Sequence, residues 1–113
     1  MAERSPTLEM VVRAVQPGLV AAGFQHAGNG RSGAYTWVRF RRHEWAGEQR
    51  YTRVITVSHA GAEGAYLADA YLVWRDTHTQ TPVARELRRY GSLAEAETEA
   101  EVLAAAVLGW VGA

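Results

Sequence analysis

Residues 34–59 read AYTWVRFRRHEWAGEQRYTRVITVSH. Two runs rich in β-branched and aromatic residues meet at Ala46-Gly47, and in each run the side chains sort with a period of two, the repeat of a pleated strand. A two-residue turn at Ala46-Gly47 pairs Trp45 with Glu48 and sets Val38 and Phe40 beside Tyr51, Ile55 and Val57. That side is the core side of a hairpin. The opposite side carries Tyr35, Trp37, Arg39, Arg41 and His43 next to Thr52, Thr56 and Ser58. A slip of one residue would exchange the two faces, so this register decides what the sheet buries and what it presents.

Further strands extend the hairpin on both sides. Turn chemistry at Gly28-Asn29-Gly30 and in residues 61–64 bounds runs at 24–27 and 65–75. Connections this short join only antiparallel neighbours, so strands at 24–27, 34–45, 49–59 and 65–75 form a four-stranded antiparallel meander. In the last of these, Tyr66, Ala68, Ala70, Leu72 and Trp74 are assigned inward, because alanine lets a helix approach closely. Leu67, Asp69, Tyr71, Val73 and Arg75 then point outward with the Trp37 and Arg39 set. Beyond it, residues 77–82 read as loop and residues 83–90 as a short helix.

A helix flanks the meander at each end. Leu8, Val11, Val12, Val15 and Leu19 recur at steps of three and four, with Ser5 as N-cap, Pro6 at the first helical position and Gly23 as the stop before Phe24. Pro17 lacks the N–H that would bond the Arg13 carbonyl, which predicts a kink or break there. Near the other end, Ser92 and Glu95 form a capping box, followed by Leu93, Ala96, Ala100, Leu103, Val107 and Trp110 along one side. Residues 102–113 are apolar nearly all round and too short to span a bilayer. They serve either as a buried helix end or as the contact of a homodimer. The expected fold class is α+β, one domain over residues 1–113, with the N-terminal and C-terminal helices packed on the face of Phe40, Ile55 and Leu72.

Composition narrows the chemistry more than it identifies it. An apolar fraction of 48% and a charged fraction of 21% are ordinary globular usage, so one folded core is expected. The absence of cysteine excludes disulfides, thiolate zinc sites and thiol nucleophiles. With no signal-peptide pattern at the start of the chain, the expected location is cytoplasmic. All twelve basic residues are arginine, which excludes Schiff-base lysines and the P-loop lysine and is also what a GC-rich genome would favour. Net charge is zero, yet residues 31–53 hold six arginines against Glu44 and Glu48, while Glu95, Glu97, Glu99 and Glu101 crowd the last helix.

Catalytic motifs are missing. His26, His43, His59 and His78 lack metal-binding spacing, and His43-Glu44 starts like a zincin motif without its second histidine. No nucleophile elbow, Walker sequence or dinucleotide fingerprint occurs, and Gly28, Gly30 and Gly33 precede no helix that could hold phosphate. Neither a metal nor a cofactor is expected.

The order helix, antiparallel meander, helix, with a Gly23-Phe24 step and an aromatic strand ending Leu72-Val73-Trp74, resembles small uncharacterised bacterial α+β domains, some of them among toxin-immunity loci. The chain departs from that pattern in residues 76–91, and no functional residue transfers. What the resemblance implies is a non-catalytic binder.

The functional expectation is therefore a binding or interaction module. Its outer sheet face, with Tyr35, Trp37, Arg39, Arg41, Asp69 and Tyr71, meets a protein or a small anionic ligand, because such residues concentrate binding energy at interfaces. The same set suits a single-stranded nucleic-acid binder, in which bases stack on aromatics and arginines follow phosphates, although zero net charge and the acidic last helix weigh against it. A small enzyme would need His43 or His59 to meet Asp69 as an acid–base pair.

Overall fold

The structure is a computed structural model, and it describes residues 7–112. Helix α1 spans Leu8–Ala21. Strands β1 Gln25–Ser32, β2 Tyr35–Ala46, β3 Gln49–Ala60, β4 Ala65–Trp74 and β5 Gln80–Arg89 follow, and helix α2 covers Leu93–Leu108. The strands form one antiparallel sheet in sequence order, β1-β2-β3-β4-β5. The α+β class and the meander are as the alternation dictates; the strand count is five rather than four.

The fifth strand corrects the reading of residues 77–90 as loop and helix. Ala84, Arg85, Glu86, Leu87 and Arg88 are good helix formers, but β4 would otherwise present an open edge, and backbone pairing to it outweighs local propensity. Pro82 is tolerated because β5 is itself an edge strand and the ladder shifts by one residue opposite Ala70 and Tyr71. A second correction concerns β1, which runs through Gly28-Asn29-Gly30 rather than turning there. Its register shift between His26 and Gly28 leaves Ala27 as the extra residue of a bulge, and the turn falls at Gly33, whose φ of +59° suits a residue without Cβ.

The central hairpin holds its faces but slides along itself. Ala46 pairs with Gln49 and Trp45 with Arg50, so the two turn residues are Gly47 and Glu48. This differs from the Trp45–Glu48 pairing by two residues, and a shift of two leaves every side chain on its assigned face. Phe40 now faces Ile55, and Val38 faces Val57.

Helix α1 passes through Pro17 without a break. Val11, Val15 and Leu19 are fully buried on either side of it, and that packing outweighs one lost backbone bond at an exposed position. Ser5 and Pro6 lie outside the described residues; the helix opens after Thr7, which makes no side-chain cap bond. At Gly23 (φ +92°) the chain leaves the helix as expected, with the Phe24 N–H donating to the Leu19 carbonyl. Helix α2 opens on Ser92, whose hydroxyl accepts from the Glu95 N–H, while the Glu95 carboxylate accepts from the Gly91 N–H.

One core joins these elements. Val11, Val15 and Leu19 of α1 and Ala96, Ala100, Leu103 and Val107 of α2 cluster with Phe40, Ile55, Val57, Tyr66, Ala68 and Ala70 of the sheet. Leu108 lies against Gly18, where an added Cβ would come within 2.5 Å of it, and Trp110 and Val111 also pack on the core. Leu108, Trp110 and Val111 at the apolar end of α2 thus pack on the core, while Val102 and Ala105 are exposed. No helix among the described residues is long and apolar enough to cross a membrane.

Candidate binding face

Register arranges the outward residues in rows that cross the sheet. One row runs Arg39, Thr56, Asp69, Arg85. The row on one side of it is Trp37, Ser58, Leu67, Leu87, and on the other Arg41, Val54, Tyr71, Pro82. Five of the six residues singled out in the sequence therefore stand in three adjacent rows, and Tyr35 sits farther out, at the start of β2 opposite Ser32 of β1. Directly opposed side chains on neighbouring strands are close enough to interact, so these rows are physical neighbours.

Small residues of β3 make the floor. Val54, Thr56 and Ser58 are nearly buried, and longer side chains flank them on β2 and β4. Arg39 is one of these: its Nε donates to Thr56 Oγ1 at 3.4 Å and its guanidinium lies 4.5 Å from the centre of the Trp37 ring. The indole also lies against β1, where a Cβ added to Gly30 would come within 2.7 Å of it. Trp37 is thereby packed against both backbone and guanidinium while staying half-buried.

Beside the floor, where the ladder shift re-aims β5, a depression of about 700 Å³ opens between β3, β4 and β5. Arg39, Thr56, Asp69, Tyr71, Pro82 and Arg85 are among the residues that line it. Asp69 is its least comfortable member. Burial pushes its carboxyl above the usual aspartate range, and the charges of Arg85 and Arg39 only partly oppose the push. Its Oδ1 is buried without a hydrogen-bond partner among the described residues. Neither arginine forms an ion pair with it.

The histidines do not join Asp69. His43 Nδ1 lies 2.8 Å from Thr52 Oγ1, in the row beyond Arg41. His59 belongs to the opposite alternation set, where its Nε2 lies 2.6 Å from the Tyr90 hydroxyl and its ring stacks on Tyr90 at 6.0 Å. Burial holds His59 below the usual imidazole range. The acid–base pair that an enzyme reading requires is not assembled. Among the described residues, no group of three or more histidine and carboxylate side chains could hold a metal ion.

A second charged cluster lies on the Phe40 side, and sequence reading missed it. Glu44 accepts from Arg42 Nη2 at 2.8 Å, Arg53 Nε at 2.8 Å and the Tyr51 hydroxyl at 2.7 Å. Arg42 Nη1 donates to the Ala22 carbonyl at 2.7 Å, its Nη2 donates to the Val111 carbonyl, and its guanidinium covers the Phe24 ring at 4.6 Å. Arg53 Nη1 reaches the Trp110 carbonyl at 3.4 Å. Burial opposes ionisation of Glu44, but the bonds from Arg53, Tyr51 and Arg42 outweigh it and hold the carboxyl below its usual range. The cluster ties both helix ends to the sheet. Its sequence signal is the even spacing of Arg42 and Glu44, which puts both on the Phe40 side.

Pro82 and Arg85 were missed too, because the reading of residues 77–82 as loop and 83–90 as helix removed them from the sheet. The usable signal was Asp69 itself, an outward aspartate on a strand with no neighbour yet assigned.

No protein-family model, curated protein or solved structure matches the chain.

Proposed function

We propose that this chain is a non-catalytic binding module that receives an anionic group at the row Arg39, Thr56, Asp69, Arg85. The observation that carries the reading is the way arginine divides between the two alternation sets. Arg42, Arg53 and Arg88, on the Phe40 side, are bonded to Glu44 and Glu99, and Arg31 on edge strand β1 is the member of that set without an ion pair among the described residues. The other set holds Arg39, Arg41, Arg50, Arg75, Arg85 and Arg89 with Asp69 as the one acidic strand residue among them. Zero net charge is thus a sum over two unlike faces, and the arginine-rich face attracts anions whatever the total.

The reading requires that both helices pack on the Phe40 side and leave the arginine side open. Two observations support this. The core cluster draws its sheet residues from the Phe40, Ile55 and Ala70 set. The shortest dimension of the chain is 19 Å, about one sheet and one layer of helices at spacings of roughly 10 Å.

Single-stranded nucleic acid is the weaker occupant, because Trp37 is already engaged by Gly30 and the Arg39 guanidinium, and zero net charge with an acidic last helix opposes a phosphate backbone. Homodimerisation through α2 is weaker for a similar reason, since Leu108, Trp110 and Val111 already pack in the chain. Thermal-shift screening of small carboxylates and phosphates tests the proposal, with Arg39→Ala and Arg85→Ala as controls. Hits that stabilise the wild type and lose their effect in both variants are expected. Hits unaffected by either substitution would remove this face as the site.

A further inference from the structure

The depression contains a feature that a simple anion does not explain. Asp69 lines it between two guanidiniums, one neighbour away on β5 and the other beyond Thr56 on β3. An anion drawn to Arg39 and Arg85 would settle against this carboxylate and be repelled by it. Asp69 and Arg85 oppose each other across the ladder, near enough for an ion pair, yet none forms. The aspartate is left with acceptor capacity and, among the described residues, no donor. Partly buried carboxylates normally have donors, so the unfilled capacity points to something that supplies one.

Resting on the binding face proposed above, we infer that the depression takes a compact zwitterion of amino-acid size, with its ammonium on Asp69 and its carboxylate on Arg85 and Arg39. Strand spacing fits the Asp69–Arg85 pair, which stands on neighbouring strands about 4.8 Å apart; Arg39 is two strands from Asp69, beyond Thr56, and takes part through its long side chain, which lines the depression. Arginine is suited to the carboxylate end because its planar fork donates two parallel bonds. Tyr71 and Pro82 add an apolar wall, which gives a side chain something to lie against. A volume of about 700 Å³ is ample for a ligand of this size. The bonds are hydrogen bonds and ion pairs alone; no covalent step is involved.

The experiment compares three probes by calorimetric titration against the full chain. Phenylalanine carries both charges, N-acetylphenylalanine only the carboxylate, and phenylalaninamide only the ammonium. The wild type should bind phenylalanine at least tenfold more tightly than either blocked probe. Asp69→Asn should weaken phenylalanine at least tenfold while leaving N-acetylphenylalanine equal or tighter, and Arg85→Ala should weaken both. The wild-type comparison needs no variant, so a folding defect in either one leaves the test intact. If N-acetylphenylalanine binds as tightly as phenylalanine in the wild type, the zwitterion is overturned and anion binding stands. If none of the three binds saturably, the zwitterion site is overturned, and the carboxylate and phosphate screen alone decides whether anions bind.

Discussion

Glu44 and Asp69 are carboxylates on one sheet, each set between two arginines, and they end in opposite states. Glu44 accepts from Arg42, Arg53 and Tyr51 and is held below its ordinary range. Asp69 accepts from no described side chain and is pushed above its range. The difference teaches how to separate an arginine used for folding from one left for a partner. Around Glu44 the guanidiniums also reach backbone carbonyls at both helix ends, so each donor is consumed in joining elements. Around Asp69 the row joins strands that the ladder already holds, and its charges are not required to close the fold.

The sharpest way to break this comparison is at the core beneath it. Ile55 is fully buried, and Ile55→Ala should cost about 2 to 5 kcal/mol in chemical unfolding. A loss below about 0.5 kcal/mol would mean that the face assigned to the helices is the exposed one. Next in size is Glu44→Ala, which strands Arg42 and nearly buried Arg53 together and should cost on the order of 3 kcal/mol. A near-neutral result in the same measurement would show that Glu44 is no more structural than Asp69.

Acid should separate the two carboxylates. The folded Glu44 pKa is lowered, so its contribution is present above its ordinary value of 4.5 and is lost as pH falls below that. Asp69 has the opposite sign: its raised folded pKa favours the fold below its ordinary 3.8, an advantage lost as pH rises through the folded value. Asp69→Asn should therefore raise the melting temperature at pH 7, with the gain shrinking toward pH 3. A lowered melting temperature at pH 7 would reveal a structural donor to Asp69. His59, lowered by burial, should add a milder loss of stability as pH falls below its ordinary 6.5, visible as a slope that His59→Phe removes. The smallest effect is expected for Arg85→Ala, within about 0.5 kcal/mol of wild type, since the residue is exposed and makes no ion pair. A larger loss would move Arg85 into the class of Arg53.

Much of this was legible in the chain. Phe40, Ile55 and Val57 announce a buried face, and Trp37, Arg39 and Arg41 announce its opposite, because a period of two is a local property that survives even a register error of two. The glycine stop at Gly23 and the capping box at Ser92 are equally local: each depends on the chemistry of a few adjacent residues. The fifth strand was not legible. Residues 80–89 carry helix formers and a proline, and they become a strand because β4 offers an unpaired edge at the right distance. That decision brought Arg85 beside Asp69 and opened the depression. The clamp on Glu44 is likewise tertiary, since Arg42 and Arg53 are joined to the ends of α1 and α2 by contacts up to 69 residues apart. The sequence by itself determined which side chains share a face, since backbone geometry repeats every two residues. Which charges are satisfied and which are left over was decided only when distant segments packed, because a hydrogen bond requires its partner within about 3 Å.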